Sequence, residues 1–209
     1  MPTIMIQIES STLALSGGRY TVRQEGIVER AQAFVKEFKG YGFFSYAGDP
    51  AEEREVVNRI VQEVSNRGEW PEDWSLLGDE RDFYWFDTEW MGDLEHMYEE
   101  FLGALSKLSR GDFQPGNVKE FVDFDGDSQA WVEFDWKGDR HRITLKSMGD
   151  YIDYPDVVHY LNDVLESSGN AHRFVAPSDT GDQTEALTYL TDDAIQKLKA
   201  SKGWSIREI

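Results

Sequence analysis

Three stretches of alternating apolar and polar residues, joined by two short glycine loops, constrain the fold most. Val118–Phe124, Ala130–Trp136 and Arg140–Leu145 carry the period of strands with one buried face. Asp125-Gly126-Asp127 and Lys137-Gly138-Asp139 separate them. Loops this short join neighbouring strands antiparallel, and Gly supplies the positive φ of a tight hairpin. The spacing predicts a β-meander over about 118–145. Such a meander, beside separate helices, argues for an α+β fold with a largely antiparallel sheet and against a doubly wound parallel one.

The rest of the chain supplies helices and single strands. Thr3–Glu9 alternates, with Ile4, Ile6 and Ile8 on one face, and Leu13 and Leu15 extend the pattern before Gly17-Gly18. From Glu25 the period becomes helical through Ile27, Ala31, Phe34, Val35 and Phe38, with Gly40 placed as a C-cap. Tyr41–Tyr46 reads as a short aromatic strand. Asp49-Pro50-Ala51-Glu52 opens a helix: Asp49 caps, Pro50 suits the first position and Glu52 completes a capping box. Val57, Ile60, Val61 and Val64 form its apolar stripe, and it ends at Asn66–Gly68.

Phe83–Phe86 is a candidate strand, and Leu94, Met97, Tyr98, Phe101, Leu102, Leu105 and Leu108 mark a helix. Pro155 opens another helix, with Val157, Val158, Leu161, Val164 and Leu165 inside and a stop near Gly169. His172–Ala176 and Ala186–Leu190 are strands. Thr191 caps a last helix, with Asp192 and Asp193 in its first turn and Lys197, Lys199 and Lys202 toward its end, as the helix dipole favours. The expected whole is one α+β domain over 1–209, four to five helices packing the sheet, with its weakest joint at Ser109–Gly116.

Composition limits the function. Apolar residues are 40% and aromatics 13%, including seven Trp, which excludes a disordered acidic tail. The chain has no Cys, so disulfides, thiolate metal sites and Cys nucleophiles are excluded. Forty acids against 21 bases give −19, which disfavours direct nucleic-acid binding and docking on an anionic membrane. Met1–Ser10 lacks the basic and apolar regions of a signal peptide, and no apolar run reaches membrane length. The expected location is the cytoplasm.

The charge is uneven. Residues 1–66 and 107–150 each carry −2 and residues 151–209 carry −5. Residues 67–106 hold twelve acids against Arg67 and Arg81, a net of −10, together with four of the seven Trp. Acids mixed with aromatics suit recognition of a basic protein, because aromatics anchor interfaces and clustered charge steers encounter. The expected partner-binding residues are Trp70, Glu72, Asp73, Trp74, Asp79, Glu80, Asp82, Trp85, Asp87, Glu89 and Trp90. The plainer reading is that these Trp pack beneath a long loop with ordinary acids outside.

Motifs for chemistry are sparse. Asp123–Asp127 superficially matches a calcium loop, but Ser128 and Phe134 stand where that loop needs Gly and Glu, so a hairpin turn is expected. Asp93 with His96, and Asp156 with His159, each share a helical face, yet the other ligands of a carboxylate-bridged metal site are not evident. Arg140-His141-Arg142 reads as a solvated strand face balancing nearby acids. The chain has no Gly-x-Ser-x-Gly elbow, dinucleotide fingerprint or Walker lysine. No catalytic residue, metal or cofactor is expected.

Asp179-Thr-Gly-Asp-Gln183 through Leu187-Thr-Tyr-Leu-Thr191, with the closing helix to Gly203-Trp204, resembles the tail of small acidic bacterial immunity proteins encoded beside polymorphic or contact-dependent toxins. The resemblance covers the last ~40 residues and the acidic α+β layout. It implies a cytoplasmic, non-enzymatic toxin inhibitor whose protein–protein interaction is with a cognate, basic, nuclease-like toxin domain. The alternatives are a phage-type acidic DNA mimic that inhibits a nucleic-acid enzyme, an enzyme using Asp, Glu or His, with or without a metal, and a structural or phage-assembly protein.

Overall fold

The computed structural model describes residues 19–90, 94–123, 129–146, 149–177 and 183–209. The expected strands at Thr3–Glu9 and Leu13–Leu15, and the loop tips at 124–128 and 178–182, lie outside the described residues.

Helix α1 runs Arg19–Lys39 and α2 runs Pro50–Arg67. The capping box at α2 forms: Asp49 Oδ1 accepts from the N–H of Ala51 at 2.7 Å and of Glu52 at 2.9 Å, and Glu52 Oε2 accepts from Asp49 N–H at 3.2 Å. These bonds satisfy donors that the first helical turn leaves without partners. At the other end Gly68 takes the left-handed conformation, φ 76°, and its N–H reaches Val64 O.

Between the two helices the expected aromatic strand Tyr41–Tyr46 is replaced by a run of tight turns. The N–H groups of Tyr41 and Phe43 bond to Phe38 O, and that of Gly42 to Lys39 O. Those amides finish α1, so they cannot enter a ladder. Gly42, not Gly40, takes the positive φ (92°). The aromatic residues are buried by ring contact instead: Phe43 stacks on Phe83, with centroids 5.7 Å apart.

A four-residue helix, α3 (Asp73–Leu76), leads to β1 (Tyr84–Asp87). A 3-10 turn at Leu94–His96 precedes α4 (Met97–Leu108). The meander follows as β2 (Gly116–Val122), β3 (Gln129–Trp136) and β4 (Asp139–Lys146). Its second hairpin has two central residues, Lys137 and Gly138, both at positive φ (51° and 92°), with Trp136 paired to Asp139 across the turn. Helix α5 (Tyr154–Ser167), β5 (His172–Pro177), β6 (Thr184–Thr191), α6 (Asp192–Lys202) and β7 (Ile206–Glu208) complete the chain.

All strand pairings are antiparallel, so the fold is α+β. They form two sheets where one was expected. The meander is a three-stranded sheet, and the others form a four-stranded sheet in the order β1-β6-β5-β7. Strand β6 shows why the second sheet is central. Ala186 and Leu190 enter a core with α1, α2 and α6, while Leu187 and Tyr189 enter another with α4, α5 and the meander. A strand apolar on both faces can only lie between two packed layers. Within this sheet β1 aligns Tyr84 with Leu187 and Asp87 with Thr184.

The joint at 109–116 is packed. Phe113 is buried, and Arg110 donates to Gly42 O at 2.6 Å, to Tyr189 O at 3.1 Å and to the Ser45 hydroxyl. One side chain thus ties the end of α4 to the turn after α1 and to the central sheet. Helix α4 is capped from a distance: Glu120 on β2 accepts from Glu99 N–H at 2.6 Å and Tyr98 N–H at 3.3 Å. No helix among the described residues is long and apolar enough to cross a membrane.

Candidate functional site

The acidic, aromatic segment folds as α3, a tight turn and β1, the edge strand of the central sheet. Its four Trp divide evenly. Trp70 packs on the first core, with its ring 5.9 Å from Phe34 and the Arg30 guanidinium 4.0 Å above it. Trp90 packs on the second core, and its indole N–H is buried with no hydrogen-bond partner among the described residues. These two are therefore largely structural. Trp74 and Trp85 are different: they stand 5.4 Å apart and remain 40% and 36% exposed. Trp85 lies two residues after the buried Phe83, on the same side of the extended chain, and stacks on it at 5.9 Å.

The acids separate too. Glu72 is exposed just ahead of α3 and caps nothing with its side chain. Asp73 lies 3.6 Å from Lys202, Glu80 pairs with Lys107 at 3.4 Å, and Arg81 clasps Asp79 with two bonds of 2.8 and 2.9 Å. Burial pushes the Asp79 carboxyl up, but the side-chain and backbone bonds from Arg81 prevail and hold it near 2. Asp87 and Glu89 are half-buried at the end of β1, where Asp87 accepts from Glu89 N–H at 3.0 Å.

Asp82 does not belong to this surface. It is 0% exposed, and both its oxygens face the N–H of Phe44, at 3.0 and 3.2 Å. Burial raises its carboxyl from 3.8 to about 7, against the Phe44 bond and Arg110. Its carboxylate is held by Phe44 N–H and its carbonyl accepts from the Thr188 hydroxyl at 2.8 Å, contacts that sequence alternation around Phe83 gives no means to foresee.

Sequence reasoning missed Tyr151. It is 36% exposed, bridges Glu89 and accepts a bond from Gln183 Nε2 at 3.1 Å. Glu89, then burial, then Asp150 and Asp87 raise its hydroxyl pKa. Trp74 and Trp85 at one end of β1, and Tyr151 among acids at the other, define the exposed aromatic part of the region. Tyr151 lies more than 60 residues downstream of β1, and no local pattern marks it.

The other candidates are not assembled for chemistry. His96 bonds Glu99 at 3.0 Å and His159 lies 3.8 Å from Asp163, each a neighbour on its own helical segment. Asp156 is exposed on α5, and Asp93 lies outside the described residues. Among the described residues no group of three His, Asp or Glu side chains is arranged to hold a metal. Arg140 and Arg142 do face outward, paired with Glu133 and Asp135. His141 corrects the solvated-face expectation. It turns inward, stacks on Phe134 at 5.1 Å and meets the Tyr160 hydroxyl at 3.2 Å. A groove of about 780 Å³ is lined by Asp79, Glu80, Arg81, Lys107 and Arg110, whose charges are engaged as described above. The chain matches no protein-family model, no curated protein and no solved structure.

Proposed function

We propose that the protein is a non-enzymatic, immunity-type inhibitor that neutralises a basic, nuclease-like toxin by binding it directly through the surface around β1. The observation that carries this reading is the exposed Trp74–Trp85 pair set in a segment of net charge −10. Paired Trp left open to water cost solvation unless a partner covers them, and Trp is prominent among residues that dominate binding energy. The surrounding carboxylates would speed capture of a cationic surface, and the buried indoles would slow release. The resemblance of the C-terminal stretch to immunity proteins supplies the toxin as the partner.

The test begins with capture from lysate of the source cell at low and then moderate salt, with mass spectrometry of the retained proteins. A single basic domain, inhibited by the protein and held at moderate salt, is the expected result. Trp74→Ala with Trp85→Ala should then weaken the complex by at least 2 kcal/mol, roughly thirtyfold. Glu72→Lys with Glu80→Lys should chiefly slow association. A partner whose affinity ignores all four changes would place the binding face elsewhere. Retention only of many cationic proteins that salt removes would leave non-specific acidity and sink the inhibitor reading.

A further inference from the structure

We propose that β1 is the docking edge for an extended basic strand of the partner, which joins the central sheet as its fifth strand. This rests on the acidic-surface reading above and specifies how that surface is used. Among the described strands, β1 ends the order and pairs only with β6. Among the described residues, no backbone group outside β6 bonds to the N–H or C=O groups of Tyr84–Asp87. The chain just beyond is closed: Thr88 donates to Gln183 O and accepts from Ile152, and Trp90 donates to Asp150 O. Among the described residues the open edge is thus four residues, about 13 Å of strand.

An open aromatic edge invites pairing, and proteins usually blunt it with Lys, Pro or a bulge. β1 reads Tyr-Trp-Phe-Asp and has neither Lys nor Pro. Negative charge guards it instead. Toward one end lie the exposed carboxylates of Glu80, just before β1, and Glu100, on α4, whose charge adds to burial in raising the Tyr84 hydroxyl. At the other end stand Asp87, Glu89 and Asp150, around Tyr151. A guard of this kind is selective by sign. It repels the same edge of a second copy and attracts a strand bearing Lys or Arg. Main-chain bonds would supply affinity, and alternate side chains would meet the Trp74–Trp85 ledge on one face. The occupant is therefore a basic strand, not another copy of this chain.

The test uses the full chain and a blocked nine-residue peptide of alternating Lys and Val. Its control has the same sequence, N-methylated at two adjacent central residues so that both edges lose a donor. Amide NMR should show shifts and slowed exchange at Tyr84–Asp87 with the plain peptide. The methylated control should bind about tenfold more weakly, the worth of one or two hydrogen bonds. Glu80→Lys with Glu100→Lys should weaken the plain peptide further. Equal binding of both peptides, with shifts at the Trp74 and Trp85 indoles, would overturn strand addition and leave the acidic surface standing. Shifts away from β1 would overturn it as well. Binding of neither peptide would remove both readings.

Discussion

Asp82→Asn should flatten the pH dependence of stability. The carboxyl is fully enclosed and its folded value is raised from 3.8 to about 7, chiefly by burial. The folded state therefore holds the proton more tightly than the unfolded chain. Stability from this group is fully present below pH ~4 and is lost as pH rises through about 7. At ~1.4 kcal/mol per unit, the whole loss is about 4 kcal/mol, of which roughly 2.5 kcal/mol falls between pH 5 and 8. Asparagine keeps an oxygen for Phe44 N–H, which stands 3.0 Å away, and carries no charge at either pH. Its amide hydrogens add a cost that does not change with pH, so the slope is the readout. Urea unfolding of both proteins at about pH 5 and 8 would measure it. The wild type should lose roughly 2.5 kcal/mol more than the variant over that range. Parallel curves would show that Asp82 is ionised without strain in the folded protein, and the burial argument would be refuted.

Four further substitutions probe the fold. Asp49→Ala removes both bonds to the first turn of α2 and should cost roughly 1–2 kcal/mol in urea unfolding; a loss under ~0.3 kcal/mol would mean that water caps the helix equally well. Lys137→Gly relieves a side chain held at φ 51° and should raise stability by about 0.5–1 kcal/mol despite the added freedom of the unfolded chain; a loss would show that the Lys137 ammonium, 4.5 Å above the Trp136 ring, matters more than the turn. Leu187→Ala and Leu190→Ala strike different cores from one strand. Each should cost about 2–5 kcal/mol and shift a single calorimetric transition; two separated transitions would mean that the cores unfold independently.

What could be read from sequence was whatever local chemistry decides. The α2 capping box, the Lys137-Gly138 hairpin, the Thr191 cap (its hydroxyl accepts Ala194 N–H at 3.2 Å) and the meander each depend on residues a few positions apart. Strand β7 gave no signal, because three residues with one buried side chain are too short to show a period. The Tyr41–Tyr46 error has a different cause. Aromatic residues favour strands, but here the end of α1 claims the backbone donors first. Among the site residues, only the three-dimensional fold separates Trp74 and Trp85 from Trp70 and Trp90. All four lie among the same acids in sequence, and their difference comes from α1 and Arg30 on one side and the second core on the other. Asp82 was misplaced for the same reason, since its enclosure comes from Phe44, 38 residues away.

The pairing of β1 with β6 has a consequence for synthesis. Tyr84 waits for Leu187, about a hundred residues later in the chain. At roughly 5–20 residues per second, β1 leaves the ribosome some 5–20 s before β6 exists. Through that interval the Tyr-Trp-Phe strand lacks its β6 partner, beside other nascent chains carrying the same strand. The meander, whose partners are adjacent in sequence, has no such delay. The acids crowded around β1 would then protect the protein before any partner arrives, by keeping neighbouring copies on a polysome apart until the last strands emerge.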